Sequence, residues 1–209
     1  MSSTITKNKL ALLLRLLDEF FPNPSPSLKA STSYTFLIAV LLSARCFDDR
    51  VNRVTDILFQ KADSPNLMIQ MKVEEIREII RPCGLSMRKA NAIWNLSSLL
   101  LNFHSGDVPD NRTDLEALPG VGRKTASVVL SQWFGHNAFP VDTHIFRCSR
   151  RWNMANSKSR DGVERELMRL IPERLWSRVH LQMIAAGRQF CKSRMHQREN
   201  CPFCSILQY

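Results

Sequence analysis

The sequence predicts an all-helical protein, and three observations carry that prediction. Apolar residues recur at spacings of three and four along most of the 209 residues, the period of helices that bury one face. Strict apolar/polar alternation over strand lengths is scarce. The few glycines, seven in all, include Gly84, Gly106, Gly120 and Gly135, each placed where a helical pattern stops, as suits the residue that leaves a helix with least backbone strain.

The elements follow in order. A first helix is expected over 5–20. Its apolar stretch is interrupted by Arg15, Asp18 and Glu19, and no small-residue cleavage site follows, so it reads as a helix of the folded protein and not as a signal peptide. Pro22, Pro24 and Pro26 end it. Helices are then expected over 33–45, 48–61, 73–81 and 87–103. Another is expected over 111–117, with Asp110 and Thr113 as N-terminal caps and Glu116 at capping-box spacing from Thr113. The last four are 123–134, 143–152, 160–170 and 173–189. No internal repeat is present. The Pro/Ser segment 22–27 and the turn around Gly135 are the natural boundaries. They define an expected helical domain over 26–136 and a discontinuous one formed by 1–25 and 137–209.

Composition narrows the class. At 44% hydrophobic and 23% charged residues, without long low-complexity tracts, the chain is globular and not disordered or fibrous. The greasiest run, 36–44, is far shorter than the roughly 20 apolar residues a membrane span needs, so a soluble, cytoplasmic protein is expected. Lys and Arg number 29 against 19 Asp and Glu, a formal charge of +10. That balance favours a polyanionic partner, with nucleic acid leading, although it also occurs in proteins that bind none. Of six cysteines, Cys191, Cys201 and Cys204 crowd near the end while Cys46, Cys83 and Cys148 are scattered. That distribution suggests metal ligands plus buried thiols, in a reducing compartment, more than a disulfide framework.

The most informative segment is LEALPGVGRKTASVVLSQWFG, residues 115–135. A helix ends at Pro119, Gly120 and Gly122 permit a sharp turn around Val121, and a new helix starts near Arg123. Backbone amides at a helix start, with Arg123 and Lys124 beside them, form a seat for a phosphate. A bare G-x-G is more often an ordinary turn with a solvated basic pair. The wider sequence changes that balance. LPGVGRKTA followed by VDTH places Lys124 and Asp142 18 positions apart, and the pattern continues through LIAVLLSA (37–44), CGLSMRKA (83–90), GDVPDNRTDLEALPG (106–120), VDTHIFR (141–147) and the cysteine-bearing tail. Over nearly its whole length the chain resembles the helix-hairpin-helix DNA glycosylases, most closely the endonuclease III family of glycosylase/AP lyases. Relatives acting on adenine mispairs carry a small residue where Lys124 stands, so the resemblance points to the lyase-competent branch.

An amine that attacks a sugar must be uncharged, yet a free lysine, with pKa near 10.4, is almost entirely protonated at neutral pH. Partial burial, the helix dipole and Arg123 could lower it, and a carboxylate could accept its proton. The resemblance implies that Lys124 attacks C1′, expels the base, forms a Schiff base and permits β-elimination of the 3′ phosphate, while Asp142 stabilises the cationic sugar and shuttles the proton. Asp142 is equally well placed to cap the helix it precedes, and the two roles are compatible. His144 is expected to orient neighbours.

A base inside a duplex is out of reach, so the nucleotide must be flipped and the gap filled. The resemblance maps the gap-filling position to Arg45, where the family carries glutamine, and the apolar wedge to Leu85. Arg45 keeps hydrogen-bond donors but loses the acceptor, which bears on recognition of the orphaned base. Asp48 either supports the pocket or caps a helix. Cys191, Cys201 and Cys204 align with the first three of four cysteines that hold the family's [4Fe-4S] cluster. Nine residues separate the first two instead of six, and a fourth cysteine would fall at position 210, one past Tyr209. The fourth ligand could be His196 or come from outside, the sequence could stop short of a fourth cysteine, or the cluster could be lost; C-x4-H-x4-C-x2-C also suits zinc, with iron-sulfur the favoured reading. Lys192, Arg194 and Arg198 in this loop suit phosphate contacts.

The sequence is therefore expected to encode an all-α, two-domain bifunctional enzyme acting on double-stranded DNA, removing oxidised or saturated pyrimidines and nicking the abasic strand. Its rivals are a helix-hairpin-helix glycosylase of other base preference, which Arg45 keeps open, and a non-catalytic DNA-binding module, which the Lys124/Asp142 pair disfavours. The absence of a heptad repeat makes a monomer the expected state.

Overall fold

A computed structural model describes residues 5–206 and is helical throughout, with no strand among them. The helices are α1 (Lys7–Phe20), α2 (Ser33–Leu42), α3 (Asp48–Lys61), α4 (Pro65–Met68), α5 (Val73–Ile80), α6 (Ser86–Phe103), α7 (Arg112–Ala117), α8 (Arg123–Gln132), α9 (Thr143–Arg151), α10 (Arg160–Leu170), α11 (Trp176–Gln189) and α12 (Pro202–Ser205), with 3-10 turns at Arg81–Cys83 and Glu173–Leu175. The chain divides into two compact units. One is Pro26–His136; the other joins the segment ending at Ser25 to the segment beginning at Asn137. The outermost residues of the discontinuous expected domain, 1–4 and 207–209, lie outside the described residues. No described helix is long and apolar enough to cross a membrane.

In the Pro26–His136 unit, α2 is the central element. Every residue from Tyr34 to Leu42 is buried, which explains why this run is apolar on all sides where a surface helix would carry a stripe. Thr32 and Thr35 form a reciprocal capping box at its start, and the Tyr34 hydroxyl reaches Ser97 on α6 at 2.7 Å. The expected helix over 33–45 stops at Leu42 because Arg45 takes a left-handed conformation, φ 58°. The expected caps of α7 are corrected as well. Asn111, not Asp110 or Thr113, accepts the Asp114 amide at 3.0 Å, since it stands directly before Arg112 and asparagine is among the best capping residues.

The discontinuous unit is closed by its chain ends. On α1, Asp18 pairs with Arg178 of α11 at 2.7 Å, and Gln182 donates to Asp18 and to the Phe21 carbonyl. Phe20, Phe21 and Phe203 meet Phe190 edge-on, Phe21 stacks on Phe203, and Trp152 lies tilted against Phe203, so the N-terminal helix seals a core made largely by residues more than a hundred positions later. All six cysteines are free; Cys83 and Cys148 are buried as expected, but Cys46 lies in a turn and is only half-buried.

Candidate active site and metal loop

The hairpin is α7, the turn 118–122 and α8. Gly120 is required twice over. Its φ is +79°, and a Cβ there would come within 2.8 Å of the Ala92 Cβ and 3.0 Å of Leu41 Cδ1, so the turn passes hard against α6 and α2. Gly122 has no such constraint: an added Cβ meets open space. Val121 is buried and its amide bonds the Leu118 carbonyl, so its side chain anchors the turn. Gly122 is the N-cap of α8, with no side chain bonded to the first turn. Arg123 and Lys124 are its first two residues, both exposed. The hairpin thus presents a basic helix start, with open space beside Gly122.

Arg45 and Leu85 are also in this unit, and both are exposed, Leu85 at 57%. Both are held at positive φ, 58° and 51°. Asp48, at the start of α3, accepts a hydrogen bond from the Ser27 hydroxyl. Two residues that sequence reasoning passed over stand out. Phe47 is 79% exposed between Arg45 and α3. Lys89, on α6, is buried, and its Nζ lies 2.9 Å from each of the Leu42, Ala44 and Cys83 carbonyl oxygens.

In the discontinuous unit, Asp142 is the N-cap of α9, its Oδ1 accepting the Ile145 amide at 2.7 Å. Burial pushes the pKa of His144 down; its Nδ1 lies 3.1 Å from the Arg147 guanidinium, the orienting contact expected of it. Arg147 also donates to the Cys191 and Gly187 carbonyls, both at 2.9 Å. One turn on, Arg151 donates to the Lys192 carbonyl at 2.6 Å and approaches Cys191 Sγ at 3.5 Å. The C-terminal half of α9 is therefore a buttress for the cysteine loop, with Lys192 and Arg194 left exposed. Neither arginine is distinguishable by sequence from the other basic residues of α9.

Cys191, His196, Cys201 and Cys204 come together, their ligand atoms all within 4.8 Å of one another. They can hold a metal. His196 Nε2 is buried without a hydrogen-bond partner, as a nitrogen kept for coordination would be. Hydrogen bonds from the Cys148, Cys201 and Cys204 thiols, with Arg151 beyond them, hold Cys191 well below its ordinary pKa, toward the thiolate that binds metals. Three cysteines and one histidine are a donor set that zinc accepts readily, whereas a [4Fe-4S] cluster is ordinarily held by four cysteines; Cys191 Sγ and Cys204 Sγ are 3.8 Å apart, within reach of a thiol hydrogen bond.

A helix-hairpin-helix turn with exposed basic residues at the helix start, in a two-unit helical chain with a C-terminal metal loop, defines a class of base-excision DNA repair proteins. The family model described as "HhH-GPD superfamily base excision DNA repair protein" matches residues 38–173. Endonuclease III of Bacillus subtilis (strain 168) is 39% identical over 201 residues, covering 96% of this chain and 92% of its own. Endonuclease III of Escherichia coli (strain K12) is 38% identical over 205 residues, covering 98% and 97%. Among solved structures, a trapped endonuclease III-DNA covalent intermediate in an estranged-adenine complex superposes with a TM-score of 0.92 at 39% identity, covering 98% of this chain and 97% of that one. The chain belongs to the endonuclease III family of DNA glycosylase/AP lyases.

Proposed function

We propose that this chain binds double-stranded DNA, excises oxidised or saturated pyrimidines such as thymine glycol, and cleaves the resulting abasic site through a Schiff base on Lys124. The observation that carries the reading is Lys124 at the exposed start of α8, behind the Gly120 turn, in a chain 39% identical to a protein seen in a trapped covalent intermediate with DNA. Backbone amides of the hairpin, with Arg123, seat a phosphate. The neutral Lys124 amine attacks C1′; the base departs with the electron pair of the glycosidic bond and takes up a proton. Ring opening leaves an iminium between Nζ and C1′. Loss of a C2′ proton then expels the 3′ phosphate by β-elimination. Asp142 supports the cationic sugar and relays the lysine proton, while its Oδ1 also caps α9. Arg45 and Leu85 enter the duplex to replace the flipped nucleotide. Lys192 and Arg194 contact phosphates. The protein works as a cytoplasmic monomer.

Borohydride reduction of an incubation with thymine-glycol duplex is expected to trap a covalent protein-DNA adduct that Lys124→Ala eliminates. No adduct on thymine glycol or on an abasic site, despite tight binding, would sink the lyase reading in favour of a DNA-binding module.

For the metal we infer one tetrahedral zinc held by Cys191, His196, Cys201 and Cys204, in place of the [4Fe-4S] cluster that the family resemblance implies. The donor set of three cysteines and one histidine and the orphaned His196 nitrogen support it. Its work is structural, holding the loop that carries Lys192 and Arg194. Elemental analysis of anaerobically purified protein is expected to give one zinc per chain and no visible absorption; stoichiometric iron with inorganic sulfide would restore the cluster.

A further inference from the structure

We propose that Lys89 is a positioning residue that locks the two loops carrying Arg45 and Leu85 into one rigid unit for entry into the duplex. The inference rests on the reading of those loops given above.

The ammonium of lysine has three donors and no acceptor. Here all three are used, at 2.9 Å each, on the carbonyls of Leu42, Ala44 and Cys83. The acceptors are not arbitrary. Leu42 is the last residue of α2, Ala44 immediately precedes Arg45, and Cys83 closes the 3-10 turn two residues before Leu85. Helix ends leave carbonyls without partners and carry the negative end of the dipole, so one buried cation serves two such ends at once. A second tie runs alongside, from Arg50 on α3 to the Pro82 carbonyl, and Cys46 and Cys83 sit close enough to hydrogen-bond.

The two loops share another feature. Arg45 and Leu85 are non-glycine residues in the left-handed region, where a Cβ crowds the backbone and neither an arginine nor a leucine gains a local compensating bond. Such conformations persist only where surrounding contacts over-determine them. Lys89 supplies those contacts from the flank of both. Burying a lysine is costly, and burial pushes its pKa down. An apolar residue on α6 would fill the same space without that cost if packing alone were needed. Lys89 bridges 47 and 45 residues back to the first loop and only 6 to the second, so its effect is to make two sequence-distant tips move as one.

The decisive comparison is between substrates that need the tips and substrates that do not. A duplex lesion must be flipped and its gap filled, whereas an abasic site in single-stranded DNA offers its sugar to Lys124 directly. Lys89→Met keeps the length of the side chain and removes the donors. Its base release from thymine-glycol duplex is expected to fall by a factor on the order of 10 to 100, while borohydride trapping on a single-stranded abasic oligonucleotide stays within about twofold of the parent. Lys89→Gln, which retains two donors, is expected to recover part of the duplex activity, and where Lys89→Met melts below assay temperature the same ratio is read from the glutamine variant. Equal losses on the two substrates, or no loss on either, overturn the proposal. A parent protein that traps neither substrate is a failure of the lyase reading instead, and the two failures are thereby told apart.

Discussion

Asp142 caps a helix and is given a catalytic role in the proposed chemistry, and a pair of substitutions separates the two. Its carboxylate caps α9 through the Ile145 amide at 2.7 Å, and the proposed chemistry needs its charge. Asparagine ranks with aspartate as a cap, whereas alanine costs about 1 kcal/mol at such a position. Asp142→Asn is therefore expected to melt close to the parent and Asp142→Ala several degrees lower, while both lose base release by a factor on the order of 100 or more. Retained activity in Asp142→Asn would reduce the residue to a cap. The cap was legible from VDTH, because it depends on a residue type at a fixed offset. Lys89 was not. A lysine within an amphipathic pattern reads as a solvated charge, and nothing local reveals that its tip meets carbonyls 45 and 47 positions away. His196 was legible only as a candidate, for the same reason: the sequence shows a donor, and the fold decides where it points.

Legibility at the level of elements follows length. Helices of eight or more residues announce themselves through two or three turns of periodicity, and α3 (Asp48–Lys61) and α10 (Arg160–Leu170) have the bounds the pattern predicts. The four-residue α4 and α12 go unread, since one turn cannot display a period; each begins at a proline, Pro65 and Pro202, which is the only local sign of them. The helix expected over 173–189 begins instead with a 3-10 turn, and α11 proper starts at Trp176, whose indole donates to the Ile171 carbonyl at 2.8 Å. That contact turns the chain before the helix starts and is tertiary in origin. The hairpin is the converse case. Gly120 is fixed by its left-handed φ and by Ala92 and Leu41 against it, and both demands are visible in the sequence only as a glycine. Gly122, written identically, meets neither demand.

For the molecule as a whole, the charge of +10 overstates what is available to a polyanion, because part of it is spent internally. Lys89 is occupied by three carbonyls, and Arg147 and Arg151 bind the backbone of the cysteine loop. Lys192, Arg194 and Arg198 are exposed on that loop and remain candidates for phosphate contact. Each phosphate contact releases counterions and adds roughly 0.9 to the slope of log K against log salt. Replacing the three with Ser is expected to weaken binding to damaged and undamaged duplex alike and to reduce that slope by about 2 to 3, measured by fluorescence anisotropy between 50 and 200 mM salt. Arg151→Ala works on the same loop from beneath, by releasing its backbone, and so should lower the slope only as far as the loop loses its metal. Metal content and slope measured together separate the two mechanisms. A triple variant with full metal and an unchanged slope removes the loop from the DNA interface, and the phosphate contacts must then be sought on the hairpin side, at Arg123 and its neighbours.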